Sequence, residues 1–133
     1  MLRRTAPLIL LGLAALAPVR TGAAQPASAP PAAIAGDEEA GREVYAANCR
    51  SCHSGAIAPP LSGVVGRPAA SAPGYAYSDA LKAKAAEPWT EARLDAFLIG
   101  PQAYAPGTRM LLVVPDAQKR ADLIAYLKSL SDT

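Results

Sequence analysis

The chain has 133 residues and nearly balanced charge, with 13 basic residues, 11 acidic residues, two cysteines and one histidine. This length suits one domain and is too short for two ordinary ones. No basic stripe is visible, so we expect no nucleic-acid partner. Aromatic residues make up 5% of the sequence. That is little for a self-sufficient core, and a large apolar cofactor would explain the shortage.

The first 24 residues are predicted to be a signal peptide. Arg3 and Arg4 form a short basic region, residues 8–17 are apolar, and residues 22–24 are the small residues that a signal peptidase requires. The apolar stretch is shorter than the roughly 20 residues that span a bilayer. We therefore expect cleavage after Ala24 and export to the periplasm, whereas an uncleaved segment would tether the protein to a membrane.

The next segment, residues 25–36, is rich in alanine and proline and carries no charge. Such a composition is typical of an extended linker. We expect the folded domain to occupy residues 37–133. Without residues 1–24 the chain has ten basic and eleven acidic residues, so its net charge is about −1.

Four helices and no strand are predicted within this domain. Each begins at or behind an acidic or hydroxyl side chain suited to a helix N-terminus. The predicted helices span residues 37–48, 79–85, 91–99 and 117–130, with Asp37, Ser78, Thr90 and Asp116 at their N-termini and Gly100 and Pro101 ending the third. Loops rich in proline and glycine separate them. The predicted fold class is therefore all-α, in a single domain of short helices and long loops.

Both cysteines and the only histidine lie in one C-x-x-C-H motif, Cys49, Cys52 and His53. This spacing is typical of c-type haem attachment, in which each thiol adds to one vinyl group of the porphyrin. A zinc site would need about four Cys or His ligands, and the chain has three. A thioredoxin-like thiol pair would follow a strand, whereas this motif follows a predicted helix. A plain disulfide would leave the histidine unexplained.

A second axial ligand is offered by Met110, because Met1 leaves with the signal peptide and no other methionine exists. A lone methionine usually fills a gap in a core. Met110 instead ends the polar Pro-Gly-Thr-Arg-Met loop of residues 106–110. Ligation by His and Met would raise the reduction potential and close the iron to external ligands.

From about residue 40 to residue 130 the chain resembles a class I cytochrome c. Gly41 and Tyr45 precede the haem motif as in that family, and Tyr126 matches the aromatic of the last helix. The resemblance implies a cytochrome c fold wrapped around one covalent haem c. It also implies that Pro59 orients the proximal His53.

The resemblance further assigns the polar contacts of the haem. It makes Arg67, Tyr77 and Trp89 partners of the propionates and Thr108 the remaining polar contact. Each of these residues also has an ordinary interpretation, as a packing residue or a solvated charge. Three positions depart from the family pattern. Phe97 replaces a tyrosine, Leu81 an asparagine and Leu112 an aromatic.

The function expected from this resemblance is one-electron transfer, without enzymatic activity, in a periplasmic respiratory or photosynthetic chain. The implied partners of this expected monomer are a quinol-cytochrome c reductase as donor and a terminal oxidase or reaction centre as acceptor. The basic candidates near the haem edge are few, namely Lys82, Lys84 and Arg109, which predicts weak electrostatic steering. Two alternatives stay open, namely a haem-bearing subunit of a periplasmic redox enzyme and a thiol-disulfide oxidoreductase.

Overall fold

The computed structural model describes residues 33–55 and 57–131, and within them it is helical. The helices are α1 (Glu38–Asn48), α2 (Arg50–His53), α3 (Asp79–Lys82), α4 (Glu91–Ile99), α5 (Pro101–Tyr104) and α6 (Ala117–Ser129). The only strand-like pairing in these residues is an isolated bridge between Pro68 and Pro88. The all-α prediction is confirmed. The predicted signal peptide and most of the predicted linker lie outside the described residues.

The four predicted helices begin at the side chains expected at their N-termini. Asp37 accepts a hydrogen bond from the Ala40 amide, and Asp116 accepts one from Lys119, each over 2.8 Å. Ser78 and Thr90 cap α3 and α4 in the same way. These side chains satisfy amides that the first helical turn leaves without a backbone partner.

The first and last helices pack directly on each other. Gly41 lies so close to α6 that a Cβ atom there would be 1.9 Å from the carbonyl oxygen of Asp122. One turn later, the rings of Tyr45 and Tyr126 have centroids 5.3 Å apart. Glycine is therefore required at position 41 for the helices to approach this closely.

The residues just before α1 also contact α6. A Cβ atom on Gly36 would lie 2.1 Å from the carbonyl oxygen of Ala121. The Ala35 carbonyl accepts a hydrogen bond from Gln118 Nε2 over 2.9 Å, and the Asp37 amide donates to Asp122 over 2.8 Å. The last two residues of the predicted linker are thus attached to the domain.

Two short helices were not predicted, and one predicted helix is shorter than expected. Pro101 ends α4 as predicted but also begins α5, because proline suits the first helical position. The motif itself forms the single turn α2. The helix predicted for residues 79–85 ends at Lys82, and the amides of Lys84 and Ala85 then bond three residues back, to Leu81 and Lys82. That pattern makes tight turns and ends the α-helix.

A buried arginine connects three parts of the fold. Arg120 on α6 is 8% exposed and donates from Nε to Asp95 on α4 over 2.7 Å. Its Nη1 donates to the carbonyls of Val114 and Pro115 over 2.9 and 2.8 Å. The segment before α6 is therefore held to the helical core.

Among the helices of residues 33–55 and 57–131, none has the length and apolar character that crossing a membrane requires.

Candidate cofactor site

One mostly apolar cavity of about 450 Å³ brings the predicted site residues together. All nine of them line it: Cys49, Cys52, His53, Pro59, Arg67, Tyr77, Trp89, Thr108 and Met110. Apolar side chains from the core complete the wall, among them Leu81, Leu94, Phe97 and Leu98. A volume of this size suits a cofactor or other small molecule.

The two cysteines lie at the junction of α1 and α2. Cys49 ends the first helix and begins the second, and it is buried, whereas Cys52 is exposed. No disulfide joins them. Burial, with a smaller contribution from Cys52, raises the pKa of the Cys49 thiol to about 11. A thiol-disulfide oxidoreductase needs a thiol with a lowered pKa, so the environment of Cys49 argues against that alternative.

The orientation of the histidine is fixed by a backbone carbonyl. His53 Nδ1 lies 2.7 Å from the Pro59 carbonyl oxygen. Because a carbonyl oxygen can only accept, Nδ1 carries the proton and donates. The other ring nitrogen, Nε2, then keeps its lone pair, which is the form in which a neutral histidine binds a metal ion.

Arg67 and Trp89 lie on neighbouring backbone segments of the cavity wall. The Gly66 amide donates to the Trp89 carbonyl over 2.8 Å, and the Trp89 amide donates to the Arg67 carbonyl over 2.9 Å. The Arg67 guanidinium donates to the carbonyls of Pro60 and Ser62 over 3.0 and 3.1 Å. A guanidinium has five N–H donors, so these bonds leave it able to contact a bound anion.

Tyr77 and Thr108 have local backbone partners. The Tyr77 hydroxyl accepts a hydrogen bond from the Ala72 amide over 3.2 Å, which leaves its proton available for another acceptor. Thr108 is 7% exposed, and its amide donates to the Ala105 carbonyl over 3.1 Å. Both polar side chains therefore border the cavity from well-held loops.

A cluster of aromatic rings contributes Trp89 and Phe97 to the cavity wall. The Trp89 ring lies 5.3 Å from Phe97 and 5.8 Å from Tyr104, measured between centroids. Phe97 lines the cavity with a ring that carries no hydroxyl, so this part of the wall is apolar. Met110 is partly buried and packs against the core.

Two features of the cavity and its loops were not predicted from the sequence. The side chain of Gln102 contacts the backbone of the loop that carries Met110. The exposed side chains of Ile57 and Leu111 border the cavity. A glutamine among alanine and proline carries no sequence signal of such a contact, because the contact depends on how α5 and the loop fold against each other.

The donor set fits a covalently attached haem better than a bare metal ion. Within the described part of the chain, no three His, Cys, Asp or Glu side chains cluster to hold a metal ion. The cavity instead combines two thiols, an imidazole with an available Nε2 and a single thioether in apolar surroundings. These are the groups that attach and ligate haem in c-type proteins. The fold and the site thus define a c-type haem protein.

Comparison with known proteins gives the family. The sequence model of the family described as cytochrome c matches residues 38–131, and the chain belongs to the cytochrome c family. The chain is therefore a class I c-type cytochrome with one covalently attached haem c, as the sequence predicted. It is a monohaem electron carrier.

Three relatives illustrate the likeness. The "Cytochrome c-type cyt cy" of Rhodobacter capsulatus is 44% identical over an alignment of 105 residues, which covers 75% of this chain and 52% of that protein. The chain thus spans about half the length of that relative. The cytochrome c of Euglena viridis is 42% identical over 73% of this chain and 100% of its own length. The solved structure of cytochrome cH from Methylobacterium extorquens is 42% identical, with a TM-score of 0.65, covering 71% of this chain and 99% of that one.

Proposed function

We propose that the chain carries single electrons in a periplasmic respiratory or photosynthetic chain, with His53 and Met110 as the axial ligands of its haem. When bound, the haem iron supplies the one-electron change between Fe(II) and Fe(III). The observation that supports this assignment best is that the His53 imidazole and the Met110 thioether line the same cavity as both cysteines.

The cysteines are proposed to attach the cofactor. Each Sγ–H would add across one vinyl group, forming a thioether without any external oxidant. Cys49 and Cys52 lie one helical turn apart at α2, and both border the cavity. Attachment at this junction would tie the cofactor to the end of α1.

The two ligands are proposed to keep external molecules from the iron. The Pro59 carbonyl holds the His53 ring in one tautomer and one orientation. Met110 would be the second protein ligand of the iron and would keep peroxide or oxygen from binding there. For this reason we propose a carrier without enzymatic activity.

The polar residues of the wall are proposed to bind the haem propionates. Arg67, Tyr77 and Trp89 line the cavity and still have donors to offer. Thr108 is proposed as a further polar contact. Fixed donors that already surround the cofactor require little rearrangement when the iron changes charge, which favours fast electron transfer.

Docking of redox partners is proposed to depend on apolar contact. Four exposed apolar side chains form what we call the apolar strip: Ile57 (70% exposed), Leu111 (77%), Leu112 (37%) and Val113 (50%). The first three border the cavity. The basic side chains expected nearby are engaged within the protein. Lys82 pairs with Asp79, Lys84 lies over the Tyr104 ring, and Arg109 lies over the Tyr75 ring. Because the chain without residues 1–24 has a net charge of about −1, we expect these few cations to steer partners only weakly over long range.

The periplasmic location and the partners remain part of this proposal. The basic and apolar pattern of residues 1–24 supports export, and an uncleaved segment would give a membrane-tethered carrier. The proposed donor is a quinol-cytochrome c reductase, and the proposed acceptor is a terminal oxidase or a reaction centre. Mass spectrometry of the N-terminus of the exported protein distinguishes the cleaved from the tethered form.

The axial assignment is tested by absorption spectroscopy of protein matured in a bacterial periplasm. The wild type is expected to show a covalent c-type haem spectrum and an Fe(III)–thioether charge-transfer band. Met110→Ala is expected to abolish that band, whereas the neighbouring truncation Leu111→Ala is expected to retain it. A band that survives in Met110→Ala would refute the assignment. The absence of any covalent haem spectrum would refute the whole proposal.

A further inference from the structure

The short helix α5 is a firmly held platform beside the loop of residues 107–110. Pro101 at its start is fully buried. Tyr104 at its end stacks on Trp89 at 5.8 Å and meets Phe97 edge-on at 5.6 Å, measured between ring centroids. Both ends of α5 are therefore firmly packed, and Tyr104 contacts two residues of the cavity wall.

Gln102 extends from this platform to the loop. Its Nε2 donates to the carbonyl of Thr108 and, over 3.3 Å, to the carbonyl of Met110. Its Oε1 accepts from the Gly107 amide over 3.3 Å. One side-chain amide thus satisfies three backbone groups of four consecutive residues, the last of which is Met110.

The chain that follows Met110 is held at Val114, by different contacts. The Val114 amide donates to the Leu98 carbonyl over 2.8 Å, and the Val114 carbonyl accepts from Arg120. Between these two attachments, residues 111–113 are exposed. Movement of the Met110 backbone away from the cavity therefore requires the Gln102 contacts to break, whereas the attachment at Val114 can remain.

We propose that Gln102 is a positioning residue that keeps the Met110 side chain at the cofactor. This inference rests on the proposed axial role of Met110. The amide acts through its two N–H donors, because the groups it faces at Thr108 and Met110 are carbonyl oxygens. Without those donors, the loop of residues 107–110 moves away from the cavity more readily. An external ligand can then replace the thioether.

Glutamate provides an isosteric test of this role. Gln102→Glu keeps the size of the side chain and an acceptor for the Gly107 amide, but the carboxylate cannot donate to the two carbonyls. Gln102→Ala removes all three contacts. Gln118→Ala is the matched control, because Gln118 also donates two hydrogen bonds but does so to Ala35 and Asp122.

The experiment titrates each oxidised holoprotein with imidazole and follows loss of the Fe(III)–thioether band. Both Gln102 variants are expected to bind imidazole about tenfold more tightly than the wild type, because two or three hydrogen bonds no longer oppose opening. Gln118→Ala is expected to bind it as the wild type does, even if its melting temperature falls. Wild-type imidazole affinity in Gln102→Glu would overturn the proposal.

Met110→Ala, included in the same series, separates this inference from the axial assignment. If Met110→Ala keeps the thioether band, the axial assignment fails and the Gln102 inference fails with it. If Met110→Ala loses the band while the Gln102 variants bind imidazole like the wild type, the inference about Gln102 alone is wrong.

Discussion

Gly41 and Asp122 bring the first and last helices of the domain into backbone contact, with space for only a hydrogen on Gly41. A Cβ atom at that position would lie 1.9 Å from the Asp122 carbonyl oxygen and 2.9 Å from the Tyr126 Cβ. Because the nearest obstacle is backbone, rotation of a side chain cannot relieve the clash. The close packing of α1 on α6 thus depends on the absence of a Cβ atom at position 41.

Replacement of Gly41 by alanine is expected to lower the free energy of unfolding of the holoprotein by about 3 kcal/mol, as overpacking does elsewhere. Denaturant titration followed by circular dichroism measures the change. Gly100→Ala is the control, because a Cβ there meets nothing closer than 3.6 Å and its φ of −166° suits any residue. Equal stability losses in the two variants would contradict this account of the helix contact.

Replacement of Arg120 by alanine is expected to destabilise the holoprotein by about 2–3 kcal/mol, because Asp95 and two carbonyls lose their partner. The control is Arg93→Ala, which removes the more exposed ion pair with Glu87. That change is expected to cost less than about 1 kcal/mol. Thermal unfolding of the two variants compares them, and a smaller loss for Arg120→Ala than for Arg93→Ala would show that burial does not govern the effect.

The doubly substituted chain Cys49→Ala/Cys52→Ala, prepared without haem, is expected to fold poorly. The buried hydrophobic residues surround a cavity of about 450 Å³, and without the cofactor their inner faces lose most of their contacts. We expect no cooperative thermal transition by circular dichroism, in contrast to the wild-type holoprotein. A sharp transition in the substituted chain would show that the polypeptide supplies a sufficient core by itself.

The apolar strip is expected to govern electron transfer to a purified redox partner. Leu111→Ser should lower the second-order rate constant several-fold, whereas Ile34→Ser, which changes an exposed residue away from the cavity, should leave it unchanged. For the wild type, the rate constant should fall by less than about threefold between about 20 and about 200 mM salt. Stopped-flow absorbance measures both, and a steep salt dependence with no effect of Leu111→Ser would favour docking by charge.

The parts of the fold that were predicted correctly depend on local chemistry. Asp37, Ser78, Thr90 and Asp116 cap helices through contacts with residues three positions away. Such contacts can be inferred from a short window of sequence. The C-x-x-C-H motif likewise identified the cofactor from five consecutive residues.

The features that were missed depend on contacts between distant segments or on competition between turn types. Arg120 pairs with Asp95, 25 residues away in sequence, and nothing near either residue indicates the other. The end of α3 at Lys82 depends on whether the next amides bond to carbonyls three or four residues back, and in this chain Lys84 and Ala85 bond three back. Of the nine predicted site residues, four come from the motif and the methionine count and five from the family resemblance. All nine line one cavity, and their individual roles are predictions.

The contact between α1 and α6 has a consequence for the order in which the protein matures. Asp37 bonds to Asp122 across 85 positions of sequence, so α6, the helix against which α1 packs, is available only when nearly the whole chain is. Contacts of such long range form slowly and late. If the chain crosses a membrane from its N-terminus, Cys49 and Cys52 emerge while α1 is still unpaired. The delay leaves an interval in which attachment enzymes can reach both thiols before the last helix closes the domain.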